Sequence, residues 1–193
     1  MTNSNFIKSL GLAGMLTLTA CATNTQAGSL SPQAKDAVLA ALDDEYKAQS
    51  LYKAILTKHG DVRPFSNIIN AEKHHSEMLI DLLKNYGQPV PQNPYENGEK
   101  PQLTAPTTLL ESCQIGVAAE IENVALYDDN LLPAVSGYSD ITDVMIRLRN
   151  ASEDRHLPAF QRCVSRGGTM GGGRGQGGGM GHGKGKGHGQ GRG

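Results

Sequence analysis

Apolar positions recur in alternating steps of three and four on four stretches of this chain, and no two-residue alternation competes with them. The first stretch opens at Ser31-Pro32, an N-cap followed by proline in the first helical position, and closes at Gly60. Its inner line is Val38, Leu42, Glu45, Gln49, Tyr52 and Leu56. The second runs from near Pro64 to Gly87 along Phe65, Ile68, Glu72, His75, Leu79, Leu82 and Tyr86. The third starts at Thr107 or Thr108, where Thr108 and Glu111 can form a capping box, and ends before Pro133. Its line is Leu110, Cys113, Val117, Glu120, Val124, Tyr127 and Leu131. The fourth is capped near Ser139 and ends at Gly167, along Ile146, Arg149, Glu153, His156, Phe160 and Cys163. Pro158 removes the hydrogen bond to the Asp154 carbonyl and predicts a kink beside His156. The pattern predicts an all-α four-helix bundle. Residues 88–106 are proline-rich, and at about 3.3 Å per residue they easily span a bundle about 35 Å long. Helices 2 and 3 can therefore run parallel, joined by a long crossover, with helices 1–2 and 3–4 as antiparallel hairpins.

Charge changes this picture because it falls on the apolar lines. Glu45, Glu72, His75, Glu120, Glu153 and His156 all face inward in this pattern. An unpaired buried carboxylate is costly, so ionised glutamates there need a compensating partner. Glu72–His75 and Glu153–His156 are Glu-x-x-His pairs, whose spacing puts a carboxylate and an imidazole on one helix face. Each pair follows a lone helical glutamate, Glu45 or Glu120. With neutral imidazoles, two divalent cations balance the four carboxylates. The halves also repeat each other. Tyr52 and Tyr127 each stand seven residues after their glutamate, and Asn70-Ala71 precedes the first pair. Asn150-Ala151-Ser152 precedes the second, with one residue inserted.

Composition sets the two ends apart. Residues 1–20 carry Lys8 and a short apolar run before Cys21, which fits a signal peptide. Leu18-Thr19-Ala20-Cys21 resembles a bacterial lipobox, with Cys21 lipidated as the mature N-terminus and 21–30 as a linker. That predicts a lipid-anchored protein of the cell envelope, where disulfides are permitted. Ala22 in place of aspartate points to the periplasmic face of the outer membrane in a Gram-negative cell. Residues 31–166 form the predicted bundle. Residues 167–193 are glycine-rich with Met170, Met180, His182 and His188, and predict a disordered tail dispensable for folding. The tail reads either as a loose metal collector or as a solvated spacer. A net charge of −1 argues against nucleic acid as the main partner.

The ordered set Glu … Glu-x-x-His … Glu … Glu-x-x-His resembles that of the ferritin-like superfamily of dinuclear carboxylate proteins. Asp44-Glu45 to Leu51-Tyr52, Phe65 to Ile68 with Glu72-x-x-His75, Gly116 to Glu120, and His156-Leu157-x-Ala159-Phe160 resemble, more narrowly, the bacterial family called domain of unknown function 2202. The resemblance implies a ferritin-like fold and a centre of two iron ions, or manganese, but no settled activity. It implies that Glu72 and Glu153 bridge the ions, with Glu45 and His75 completing one and Glu120 and His156 the other. Oxygen and imidazole ligands suit iron or manganese. Tyr52 and Tyr127 are either neighbours of the ligands or plain core. Arg149 is either a carboxylate-orienting residue or a snorkelling surface side chain. Cys113 lies seven residues before Glu120 and Cys163 seven after His156, on antiparallel helices whose ligands would share an ion, so a disulfide is expected. Three functions compete: ferrous oxidation by dioxygen or peroxide, non-enzymatic metal storage, delivery or sensing, and a metal-free structural bundle. No Cys-x-x-Cys pair supplies a built-in electron-transfer site, so the electron donor would be external. The oligomeric state, a homodimer included, is open.

Overall fold

The structure, a computed structural model, describes residues 28–169. The signal peptide, Cys21 and residues 170–193 lie outside the described residues. Helix α1, Pro32–His59, begins where the Ser31 hydroxyl accepts the Ala34 amide and ends at Gly60, whose φ of 83° suits glycine. Helix α2, Phe65–Asn85, closes through Gly87. The amides of Gly87 and Gln88 return to Lys84 and Leu83. Helix α3, Leu109–Leu126, opens with both hydrogen bonds of the Thr108–Glu111 capping box.

The third bundle helix does not stop before Pro133. It passes through a π-helical turn, Tyr127–Leu131, into the short α4, Leu132–Ala134. The fourth is likewise composite: α5, Ser139–Ala151, a second π-turn, Ser152–His156, and α6, Leu157–Ser165. In both π-turns the amide of a leucine reaches back five residues, Leu132 to Tyr127 and Leu157 to Ser152. In both, the chain continues Leu-Pro-Ala. Proline has no amide to give, and the widened turn ends where that amide would be missed. The disturbance expected at Pro158 therefore takes the form of a π-turn that ends at His156.

Two apolar clusters show how the helices run. One joins Val38 and Leu42 of α1 to Leu79 and Leu83 of α2, Tyr127 and Leu131, and Ile141, Met145 and Leu148 of α5. The other joins Tyr52 and Ile55 to Phe65 and Ile68, and to Cys113, Phe160 and Cys163. The start of α1 thus meets the end of α2, and the end of the third helix meets the start of the fourth. Both hairpins are antiparallel, and helices 2 and 3 run parallel. The crossover is tied along α1. The Tyr46 hydroxyl donates to the Pro91 carbonyl, Lys100 grips both oxygens of Asp43 at 2.6 Å, and Lys58 donates to the Ala105 carbonyl.

A disulfide joins Cys113 to Cys163, with a Cα–Cα distance of 6.0 Å. Beside it, Gly116 lets α3 approach Phe160; a Cβ there would come within 2.6 Å of the ring. The expected boundary after Arg166 falls inside a helix cap. Gly167 and Gly168 donate to Val164 and Cys163, and a Cβ on Gly168 would lie 2.5 Å from the Leu110 amide nitrogen. The packed body therefore includes Gly167 and Gly168.

Candidate metal centre

Between the two apolar clusters, every bundle helix contributes polar side chains to one buried layer. On α1, Glu45 falls between Leu42 of one cluster and Tyr52 of the other; on α2, Glu72 and His75 fall between Ile69 and Leu79. Glu120 and His156 occupy the same level on the other pair of helices. All five are buried.

Glu72 stands at the centre. Its Oε2 lies 3.0 Å from His75 Nδ1, and its Oε1 lies 3.2 Å from His156 Nδ1. A second carboxylate backs each histidine: Glu45 Oε2 at 3.4 Å from His75 and Glu120 Oε2 at 3.5 Å from His156. The two rings stack with centroids 5.7 Å apart. Two groups of three ligands result, Glu45–Glu72–His75 and Glu72–Glu120–His156, and they share Glu72.

The tyrosines cross between the halves. Tyr52 of the first hairpin donates to Glu120 Oε1 at 3.0 Å, and Tyr127 of the second donates to Glu45 Oε1 at 3.5 Å. Each tyrosine ties up one oxygen of a terminal carboxylate and leaves the other facing a histidine. Gln49 donates to the carbonyls of Glu45 and Glu72 and to the Ser76 hydroxyl, pinning α1 to α2 at this level.

Glu153 is not in the layer. Its side chain is 47% exposed, against 5% for Glu72, and it pairs with Arg149. The cause is the residue inserted ahead of it. A Glu-x-x-His pair shares a face only in a regular α-helix. Within the π-turn Ser152 and His156, four apart, both turn inward, and Glu153 is carried round to the surface. Ser152 occupies the inner position that Glu72 holds in the first half. Arg149 therefore orients no carboxylate of the layer. It grips Asp128 through two nitrogens at 2.9 and 2.8 Å, and Glu153 as well. Asp128 and Glu153 are each the second residue of a π-turn, so one guanidinium fastens both turns together.

The layer opens to a cavity of about 220 Å³ between α1 and α3, lined by Glu45, Glu72, Glu120 and Ser152 and farther out by Asp44 and Asn123. The Asn123 amide donates to Asp44 at 2.6 Å. Burial raises the Asp44 carboxyl above its usual range, and that hydrogen bond only partly offsets the rise. Sequence reasoning missed Asp44, Asn123 and Ser152. Only the inserted residue before Glu153 signalled the last of these.

Protons balance the charge. Burial opposes a charge on His75, but Glu45 and Glu72 beside it outweigh burial and raise it to about 9. Burial likewise opposes a charge on His156, and Glu120 and Glu72 raise it to about 10. Burial pushes Glu72 up, yet the two histidines bring it down to about 2. Glu45 is driven well above its ordinary value by burial and by the Glu72 charge. The two carboxyl groups beside His75 thus shift in opposite directions, Glu45 up and Glu72 down, because both histidines turn towards Glu72.

The donor set fits a metal. His156 Nδ1 is buried and faces two carboxylate oxygens without a hydrogen bond to either, as expected of a ligand atom aimed at a shared third partner. An ion held at about 2.1 Å sets neighbouring donor atoms about 3 Å apart, close to the spacings around Glu72. All the donors are carboxylate oxygen or imidazole nitrogen, and among the described residues no thiolate joins them.

An all-α bundle with one long crossover between its second and third helices and a buried Glu/His layer able to hold metal defines the class. Residues 34–172 match the family described as an uncharacterized protein domain (DUF2202), and the chain belongs to that family. No curated protein and no solved structure matches the chain.

Proposed function

We propose that the layer binds two iron ions bridged by Glu72, in a protein anchored in the cell envelope through Cys21, and that it oxidises ferrous iron with dioxygen or peroxide. The observation that carries this reading is the division of Glu72, one oxygen to each histidine, with a terminal carboxylate behind each. Glu45 and His75 would complete one ion, and Glu120 and His156 the other, as in the ferritin-like superfamily the sequence resembles. A bound ferrous pair supplies two electrons to the oxidant. The chain's own residues do the rest. Tyr52 and Tyr127 hold the terminal carboxylates to one free oxygen each, and the apolar clusters close the layer from either end of the bundle, leaving the cavity between α1 and α3 as its opening. Loading displaces the protons held on His75 and His156, so ion binding releases protons and tightens as pH rises. Anaerobic loading followed by elemental analysis and oxygen consumption tests the reading. Two ions per chain and oxygen uptake with turnover support it; one ion or none refutes it.

One observation favours a second reading. Ser152 occupies the place of a second bridging carboxylate, leaving three glutamates in the layer. Two divalent ions there keep a net positive charge, which favours exchangeable binding for storage, delivery or sensing, with manganese as readily as iron. Two ions bound without oxygen uptake would select it.

A further inference from the structure

At the opposite end of the bundle from the start of α1, a separate cavity of about 300 Å³ is lined by Arg63, Arg162, Arg166, Asn67 and Thr169. The arginines come from the α1–α2 turn, the last turn of α6 and its cap. No acidic side chain lines the cavity, and among the described residues none of the three arginines forms an ion pair. Residues 1–27 and 170–193 contain no Asp or Glu that could pair with them.

We propose that this pocket binds a phosphate group, either as free phosphate or as a phosphorylated headgroup. A carboxylate is satisfied by one guanidinium fork, whereas three forks call for a tetrahedral oxyanion. Asn67, in the first turn of α2, adds an uncommitted amide, and the positive end of that helix faces the same space. Parts of the frame are fixed, while the three arginine side chains are exposed to an incoming ligand. Cys163 of the disulfide lines the pocket, Gly168 seats against Leu110, and the Thr169 hydroxyl donates to the Arg166 carbonyl at 2.7 Å. Arg162 and Arg166 also favour the negative end of α6, whereas Arg63 is on no such helix end, so the helix dipole does not account for the third arginine. Residues 170–193 carry four more Lys and Arg and no Asp or Glu, and their net positive charge adds attraction for anions.

Calorimetric titration of the full chain with inorganic phosphate, and in parallel with glycerol 3-phosphate, tests the proposal. Saturable one-to-one binding is expected, weakened roughly tenfold by Arg63→Gln and further by Arg63→Gln/Arg166→Gln, with melting unchanged. Tighter binding of phosphate would identify the free ion as ligand, and tighter binding of glycerol 3-phosphate a headgroup. Phosphate held at the metal layer or on the tail would ignore Arg63→Gln, and tail binding would fall in Lys184→Gln/Lys186→Gln. Binding that survives Arg63→Gln, binding lost only with the tail lysines, or no saturable binding of either probe overturns the proposal.

Discussion

The two hairpins repeat one plan, and at the polar layer one inserted residue sets them apart. In the first, Asn70-Ala71-Glu72 leads in regular α-helix to His75, and both ligands face inward. In the second, Asn150-Ala151-Ser152 leads through a π-turn to His156, so a serine faces inward and Glu153 meets Arg149 at the surface. A single insertion keeps the histidine and exchanges an inward carboxylate for a small hydroxyl. The layer is therefore built around one shared carboxylate, and the cavity opens beside Ser152 where the second would stand. Glu45 with His75 and Glu120 with His156 stand in matching places with their crossed tyrosines, and the π-turn sets the asymmetry.

The disulfide belongs to the second hairpin alone and offers the largest stability effect. Cys163→Ser should destabilise the protein by about 3–4 kcal/mol, because the bridge closes a loop of 50 residues. Equilibrium denaturation measures it, and a loss below about 1 kcal/mol would show that the second hairpin needs no tie. Deleting Ser152 should restore the first half's register, bring Glu153 inward, and leave Pro158 facing a regular helix at a cost of about 3 kcal/mol. Helix signal and melting with and without metal would register both effects. Unchanged stability would mean that the π-turn does not serve the proline.

The pH profile separates protons from metal. His75 and His156 are raised to about 9 and about 10 from 6.5, so their protonation stabilises the metal-free fold fully below pH 6.5. That stability is lost as pH climbs through 9 to 10. Glu72, lowered to about 2 from 4.5, contributes above pH 4.5 and loses its contribution as pH falls through 2. His75, His156 and Glu72 together place the highest melting of the metal-free protein between pH 4.5 and 6.5, and Glu45, whose raised carboxyl loses its contribution as pH rises above 4.5, draws it to the lower end of that window. The gap between loaded and metal-free melting temperatures should widen from pH 6.5 to 9. A gap that narrows over that range contradicts the proton-held layer. The smallest effect is expected at the surface: Glu153→Gln should cost less than about 1 kcal/mol in melting experiments, since it removes a partly exposed ion pair.

Most of the bundle was legible because the inner lines, caps and crossover length are local properties. Glu45, Glu72, His75, Glu120 and His156 fell on those lines, and the structure brings them together. Glu153 fell on one too, but that line assumes 3.6 residues per turn throughout. The inserted Ser152 was visible as an imperfect repeat, yet whether an extra residue widens a turn or shifts a helix end depends on packing. The first tail glycines were averaged into a disordered composition, although Gly167 and Gly168 close α6 by their position. Asp44 and Asn123 carry no spacing signal, since they face each other from helices far apart in sequence.

The central claim is that Glu72 alone bridges the layer. Its most direct test is the number of ferrous ions bound per chain, measured anaerobically in Glu72→Gln and Glu153→Gln beside the unaltered protein. Two ions should bind to the unaltered protein and to Glu153→Gln, and fewer than one to Glu72→Gln. Equal loss in the two variants would restore Glu153 as a second bridge and contradict the account.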